Sequence, residues 1–214
     1  MNDNPQFDVL LFDLGGVLID FAGFDELGRL LPGAPDRKEV RTRWIESTSV
    51  QTFERGKITP LQFALGVIRE LRIDCGPDDF IAEFVGWARG PYPGAKSLLR
   101  RLRPTHKLAC LSNSNELHTP IHRQSIEQLF DHYYFSDEIG QVKPDPEIFD
   151  HVIRDLGVPP ARIAFFDDTP VNIEAALTVG LNAFHVDGIL DLEAKLHQLH
   201  VIGNLEINRP ARVP

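Results

Sequence analysis

The stretch Phe7-Asp8-Val9-Leu10-Leu11-Phe12-Asp13-Leu14-Gly15-Gly16 decides the fold class of this chain. Its near-continuous apolar run, ended by an acid and two glycines, predicts a strand buried on both faces. Ligands bind at the carboxyl edge of open parallel sheets, so this strand would deliver one carboxylate to a binding edge. Asp13 is therefore a candidate metal ligand, a candidate nucleophile, or both.

Further short apolar runs have the length of strands and alternate with amphipathic helical stretches from about Pro93 onward. This alternation predicts right-handed βαβ units and a Rossmann-like α/β core with a five-stranded parallel sheet. Two helices have clear start signals, Asp145-Pro146 and Thr169-Pro170, in which the first residue caps the helix. The expected strands span residues 7–12, 107–111, 132–135, 163–166 and 181–186.

Residues 21–89 differ from the rest, because they show helical patterns and no convincing strand. Thr59-Pro60-Leu61-Gln62 predicts a capping box, and Pro77 predicts a further helix start. Glycines and prolines at 90–94 indicate a hinge. We therefore expect a discontinuous core, residues 7–20 and 90–200, a small all-helical cap at 21–89, and a tail at 203–214 without an assigned role. Trp44, Phe53 and Trp87 are expected in the interior of this insert.

Composition limits the classes of partner. The chain has 214 residues and a formal net charge of −9, which argues against nucleic acid and anionic membranes as partners. The two cysteines lack the spacing of a metal or redox motif, and the polar amino terminus lacks the pattern of a secretory signal. We expect a cytoplasmic protein with a small-molecule substrate; the sequence does not fix an oligomeric state.

Polar residues follow three of the expected strands: Asp13, the pair Ser112-Asn113 and the pair Asp167-Asp168. Parallel strands bring their carboxyl ends to one edge, so these groups should converge, and Lys143 lies in a loop that could reach them. Several carboxylates in one place repel each other unless a cation joins them, and hard oxygen ligands suit Mg²⁺. A carboxylate that attacks a phosphoryl dianion needs the same neutralisation, which Lys143 and Ser112 could complete.

The order of these motifs resembles that of the haloacid dehalogenase-like hydrolase superfamily, over roughly residues 7–20 and 93–188. Its four motifs are similar to Phe12-Asp13-Leu14-Gly15-Gly16-Val17-Leu18, Leu111-Ser112-Asn113, Lys143-Pro144 and Phe166-Asp167-Asp168-Thr169-Pro170-Val171-Asn172. Within it, Ser112-Asn113-Ser114-Asn115 and Phe53-Glu54-Arg55-Gly56-Lys57-Ile58 most resemble bacterial α-D-glucose-1-phosphate phosphatases. That branch is also similar to the amino-terminal phosphatase domain of soluble epoxide hydrolases.

The resemblance implies a Mg²⁺-dependent phosphatase that acts on a small phosphorylated metabolite, for example a sugar 1-phosphate, through a phospho-aspartate. It implies that Asp13 is the nucleophile and a metal ligand, that Ser112 and Asn113 hold the phosphoryl group, and that Lys143 pairs with it. Asp168 would bind the metal directly with Asp167 in support, and the carbonyl oxygen of Gly15 would be a further ligand. These are the candidate site residues.

One position departs from the family pattern. Most phosphatases of the superfamily have an aspartate two residues after the nucleophile, which serves as general acid and base, and this chain has Gly15 there. General acid–base groups contribute about 10²–10⁴-fold, so a slow enzyme or one that selects good leaving groups is expected. An anomeric leaving group, as in a sugar 1-phosphate, fits that expectation. Asp20 is an alternative proton donor.

Two other functions stay open. A metal-independent 2-haloacid dehalogenase would also lack the second acid, although the pair Asp167-Asp168 counts against it. A noncatalytic binding protein could keep the fold and lose the chemistry with the exchange at Gly15. His118 and His122 have the spacing of a zinc pair but no accompanying third ligand, so an exposed helix face is the prediction for them.

Overall fold

A computed structural model describes residues 6–203, and a five-stranded parallel sheet forms its centre. The order of the strands across the sheet is β5-β4-β1-β6-β7, which confirms the expected Rossmann-like α/β class. In chain order these strands are β1 (Val9–Phe12), β4 (Lys107–Ser112), β5 (His132–Phe135), β6 (Ile163–Asp167) and β7 (Asn182–His185).

The register of the sheet determines which side chains meet at its carboxyl edge. Strand β1 lies in the middle, where Phe12 is paired with Cys110 of β4 and with Phe166 of β6. The residues that follow these three partners are Asp13, Leu111 and Asp167. The acids of the first and fourth motifs are therefore immediate neighbours across one pair of strands.

Every β1 side chain is buried, because helices cover both faces of the sheet. Leu10 and Phe12 pack in a cluster with α6 (Ala95–Leu102) and α11 (Gly188–Gln198). Val9 and Leu11 pack on the other face with α9 (Pro146–Leu156) and α10 (Pro170–Thr178). Two further helices, α7 (Thr119–Ser125) and α8 (Ser136–Ile139), and a short 3₁₀ turn (Pro160–Arg162) complete the core.

The helical insert has a hydrophobic cluster of its own, which is separate from the two clusters of the sheet. Trp44, Phe53 and Trp87 are buried in it, as the sequence predicted, and Phe63 and Phe84 pack beside them. The capping box at Thr59 and Gln62 is formed. The helices of the insert are α1 (Gly23–Leu30), α2 (Arg37–Glu46), α3 (Thr48–Glu54), α4 (Pro60–Leu71) and α5 (Pro77–Val85).

The prediction that residues 21–89 lack strands was wrong at both ends of the insert. Strands β2 (Ile19–Phe21) and β3 (Ala88–Pro91) form an antiparallel ribbon there, and β3 takes up part of the expected hinge. The ribbon is extended on both sides by backbone bonds, for example from the Tyr92 N–H to the Leu18 carbonyl at 2.9 Å. Strands β2 and β3 are short, and each pairs with a partner far away in the chain. The local sequence around each of them therefore shows no strand pattern.

Two helix starts lie where they were predicted, but their side chains do not cap. Asp145 and Thr169 occupy the N-cap positions without a side-chain bond to the helix backbone. The Asp145 carboxylate instead accepts from Arg55 at 2.6 Å, and the Thr169 hydroxyl donates to Asp168 at 3.0 Å. Contacts with distant residues have replaced the local ones.

The predicted tail lies outside the described residues, apart from Gly203. Among residues 6–203, each helix is too short or too polar to cross a lipid bilayer.

Candidate active site

Three carboxylates converge at the carboxyl edge of the sheet. Asp13 follows β1, Asp167 is the last residue of β6, and Asp168 is the next residue in the chain. One oxygen from each carboxylate lies within 4.8 Å of the others. Asp167 is fully buried, and the exposed fraction of Asp13 is 8%.

Lys143 places its ammonium between two of these acids. Its Nζ lies 2.9 Å from Asp13 Oδ1 and 2.7 Å from Asp167 Oδ2, and it donates a further bond to the Leu111 carbonyl at 3.1 Å. Burial alone would lower the pKa of Lys143, but the two carboxylates raise it above its ordinary value. The ammonium is therefore charged, and all three of its N–H groups have acceptors.

One lysine does not neutralise three acids. Burial and, to a smaller extent, the neighbouring charges of Asp167 and Asp168 raise the pKa of Asp13 to about 7, against the attraction of Lys143. Burial also raises the pKa of Asp168, with Arg41 acting in the opposite direction. A second cation at this edge would relieve the repulsion and favour the ionised acids.

The carboxylates differ in their freedom to bind that cation. Both oxygens of Asp167 already accept hydrogen bonds, from Lys143, from the Asn172 amide and from the Thr169 backbone. In residues 6–203, Asp13 Oδ2 and Asp168 Oδ2 accept no such bond. Oxygen donors of this kind fit Mg²⁺, so Asp13 and Asp168 are the best-placed direct ligands and Asp167 a supporting residue.

The loop after β1 approaches Asp168 very closely. Gly16 has a φ of +77°, and a Cβ added there would lie 2.7 Å from Asp168 Oδ2. The position therefore requires glycine on both steric and backbone grounds. At Gly15 a Cβ would meet only Phe21, at the ordinary contact distance of 3.6 Å. Gly15 can thus offer its carbonyl oxygen to a cation, but no side chain for proton transfer.

The two residues of the second motif differ in their contacts. Ser112 is buried and lines the cavity above Lys143, where its hydroxyl makes only a 3.3 Å contact with the Asn113 carbonyl. The Asn113 amide is bonded in both directions to the Lys143 backbone, at 2.8 and 2.9 Å. The Asn113 side chain therefore positions the Lys143 loop. Phosphoryl binding by Asn113 stays a prediction.

A cavity of about 400 Å³ lies between this edge and the helical insert. Its floor includes Asp13, Ser112, Lys143 and Asp168. The insert contributes apolar residues and several polar or charged ones; these are Phe21, Phe24, Trp44, Ile45, Val50, Phe84, Arg37, Arg41, Glu46, Gln51, Glu54 and Arg55. Trp44 thus belongs both to the interior of the insert and to the cavity wall.

Sequence reasoning missed the charged residues that the insert brings to the site. The Nη2 atom of Arg41 lies 3.0 Å from Asp168 Oδ1, and Arg55 is paired with Asp145 in the loop that carries Lys143. Glu54 also faces the cavity, and burial raises its pKa to about 7. Nothing in a helical pattern identifies such residues, although the quoted segment around Glu54-Arg55 carried part of the family resemblance.

The prediction that His118 and His122 lie on an exposed helix face was wrong. Their exposed fractions are 3% and 5%, because α7 packs under the insert. His118 Nε2 donates to the Phe84 carbonyl at 2.8 Å, which fixes its proton on that nitrogen. Burial lowers the pKa of both histidines, that of His122 to about 4, so both are neutral near pH 7.

Comparison with known proteins identifies the family. The model of the haloacid dehalogenase-like hydrolases matches residues 7–180. The chain therefore belongs to the haloacid dehalogenase-like hydrolase family, as the four motifs indicated.

Two curated relatives cover most of the chain. Phosphatase MT3486 of Mycobacterium tuberculosis is 28% identical over 85% of this chain and 88% of its own length. The sesquiterpene phosphatase astK of Aspergillus oryzae is 30% identical over 90% of this chain and 96% of its own length.

Solved structures agree with this assignment. A HAD family enzyme of Bacteroides thetaiotaomicron, solved with magnesium and inorganic phosphate, is 25% identical, with a TM-score of 0.66 over 85% of this chain and 94% of its own. The L-2-haloacid dehalogenase RSc1362 is 22% identical and shares the fold, with a TM-score of 0.69 over 91% of this chain and 99% of its own.

Proposed function

We propose that this protein is a Mg²⁺-dependent phosphatase that hydrolyses a small phosphorylated metabolite through a phospho-Asp13 intermediate. The observation that carries the proposal is the convergence of Asp13, Asp167 and Asp168 beside Lys143 on the floor of the cavity. The magnesium and phosphate found with a structural relative support the same chemistry.

In this mechanism Asp13 attacks phosphorus, so that a bond forms from its carboxylate oxygen and the bond to the leaving oxygen breaks. Lys143 neutralises negative charge beside Asp13, and the Ser112 hydroxyl donates to a phosphoryl oxygen. The Asn113 side chain keeps Lys143 in place by binding the Lys143 backbone. Mg²⁺, held by Asp13, Asp168 and the Gly15 carbonyl, would screen the substrate dianion from the attacking carboxylate. Water then hydrolyses the acyl phosphate and restores Asp13.

The insert, residues 21–89, acts in this proposal as a cap that closes over the substrate, excludes water and selects the leaving group. The cavity has the size of a small-metabolite site. The aromatic wall and the arginines of the cavity can bind a leaving group that has both apolar and polar faces. A sugar 1-phosphate remains the favoured example, because its anomeric leaving group is less basic than an ordinary alkoxide.

A panel of phosphate monoesters that includes hexose 1-phosphates, assayed with and without Mg²⁺, tests the proposal. The wild type should release phosphate only with Mg²⁺, and Asp13→Asn should lower kcat by at least about 10⁴-fold, because an amide is no nucleophile. Mg²⁺ should raise the Tm of the wild type and much less that of Asp168→Asn. Full activity of Asp13→Asn would refute the mechanism.

The same panel separates the alternatives. Chloride release from chloroacetate that survives EDTA would establish the dehalogenase instead. Turnover of every ester at the level of Asp13→Asn would establish the noncatalytic binding protein. The convergence of Asp13, Asp167 and Asp168 at one edge favours the phosphatase, because three acids in one place need a cation to join them.

A further inference from the structure

Among residues 6–203, the floor of the cavity offers no acid that is free to protonate a leaving oxygen. Gly15 has no side chain, and every N–H of Lys143 is already bonded. Asp167 accepts four hydrogen bonds, and Asp168 pairs with Arg41. Asp20, the alternative suggested by the sequence, lies 3.9 Å from Arg89 on the surface side and is not among the residues that line the cavity.

The histidines of α7 do not fill this gap. The Nε2 hydrogen of His118 is donated to the Phe84 carbonyl, so its remaining nitrogen carries no proton while the ring is neutral. The low pKa of His122 leaves that ring without a proton to give near neutral pH. These contacts point to the insert as the source of the proton for the leaving group.

The insert contributes two carboxyl groups to the cavity, the exposed Glu46 and the partly buried Glu54. Glu54 is the last residue of α3, and its carbonyl accepts from the Ser136 hydroxyl of the core at 2.6 Å. The next residue, Arg55, is bound to Asp145 at 2.6 Å in the loop that carries Lys143. These two bonds fix the end of α3 against the carboxyl edge, and the Glu54 side chain lines the same cavity as Asp13.

The surroundings of Glu54 suit a group that both gives and accepts a proton. Burial raises its pKa to about 7, Lys143, Arg55 and a hydrogen bond from Trp44 oppose that rise, and Asp13 adds to it. A carboxyl whose pKa lies near the working pH is effective in both directions.

We propose that Glu54 is the general acid and base of this enzyme and replaces, from the cap, the aspartate that the family usually has at position 15. The inference rests on the proposed phosphatase function. As the bond between phosphorus and the leaving oxygen breaks, that oxygen takes its electron pair and the Glu54 proton. As water attacks phospho-Asp13, the Glu54 carboxylate takes the proton of the water, and the Asp13 carboxylate and phosphate are released.

The dependence of the rate on the leaving group tests this role. An alkyl phosphate needs a proton at its leaving oxygen, whereas p-nitrophenyl phosphate leaves as a stable anion. Glu54→Gln should lower kcat/KM for an alkyl phosphate about 10²–10⁴-fold, and that for p-nitrophenyl phosphate less than about tenfold. Because the base is also lost, p-nitrophenolate should appear in a burst that equals the enzyme concentration, followed by slow turnover.

Two further variants complete the test. Glu83→Gln makes the same chemical change on the exposed face of α5 and should match the wild type for both esters. Glu54→Asp keeps a carboxyl group and should retain part of the alkyl phosphatase activity, whereas Glu54→Gln should not. Circular dichroism of each variant confirms that it is folded.

The outcomes are distinguishable from a failure of the proposed function. If the wild type hydrolyses no ester with Mg²⁺, the phosphatase assignment fails. If the wild type is active and Glu54→Gln loses the same factor with both esters, or loses nothing, Glu54 is not the acid and base. An unfolded Glu54→Gln, with a folded Glu54→Asp that has equal losses for both esters, would overturn the role as well.

Discussion

At the scale of single residues, two adjacent glycines have different reasons to be glycine. Gly16 has a positive φ and lies against Asp168, so neither its backbone nor its surroundings accept a Cβ. Gly15 has room for one beside Phe21. A Cβ at position 15 is therefore sterically allowed. The loss of the usual acid there is compatible with catalysis if Glu54 supplies the proton from the insert.

The difference between the two glycines predicts a large effect of alanine at position 16 and a small effect at position 15. Gly16→Ala should lower the free energy of unfolding by about 1–3 kcal/mol, because a left-handed backbone is strained with a Cβ. It should also weaken Mg²⁺ binding about 10–100-fold by displacing Asp168. Gly15→Ala should stay within about 0.5 kcal/mol of the wild type. Urea unfolding and Mg²⁺ titration measure these effects; equal losses in both variants would contradict the account.

At the scale of elements, α7 shows how packing changes the chemistry of a sequence pattern. Its histidines have the spacing of a metal pair, yet His118 is bonded to the insert and His122 packs beside Phe135. The Nδ1 atom of His122 is buried without a hydrogen-bond partner in the described part of the chain. The helix therefore depends on both rings being neutral.

This dependence predicts a loss of stability in acid. The pKa of His122 is lowered from 6.5 to about 4 by folding, so the unfolded chain binds more protons between these values. The contribution of His122 is complete above about pH 6.5 and is lost as the pH falls toward 4. Between pH 8 and pH 5 the wild type should lose about 2 kcal/mol more than His122→Phe. Urea unfolding at both pH values measures this; parallel losses would contradict it.

At the scale of the whole molecule, ion pairs hold the insert closed over the core. Arg55 contacts Asp145, and Arg41 contacts Asp168. Both arginines come from the insert and both acids from the carboxyl side of the sheet. The cavity thus exists only while the two parts are together, and opening would separate Glu54 from the floor.

Asp145→Asn should loosen this closure without removing a helix cap, since Asp145 makes no capping bond. A partly exposed ion pair contributes up to about 1 kcal/mol, so KM should rise up to about fivefold with little change in kcat. Amide exchange at the end of α3 should become faster. Glu39→Gln removes the Arg43–Glu39 pair within α2 and is the matched control. A similar rise of KM in that control would argue against a role for the contact between insert and core.

The sequence by itself determined the core of this protein. Apolar runs, each ended by a polar residue, predicted the parallel sheet. Because parallel strands end at one edge, the sequence also predicted that Asp13, Lys143 and the pair Asp167-Asp168 would converge. These features are local in sequence. A strand buried on both faces is apolar throughout, and the polar residues of the site follow directly where such a strand ends.

Only the tertiary structure decided the rest: the β2–β3 ribbon, the burial of α7, the attachment of Asn113 to the Lys143 backbone, and the position of Glu54. Each depends on partners far away in the chain, some of them across the boundary between insert and core. A helical pattern shows which residues are apolar, but not which polar residue on the helix will face a cavity. That assignment is made when two surfaces pack, because packing alone sets the burial and the neighbouring charges that give a carboxyl its chemistry.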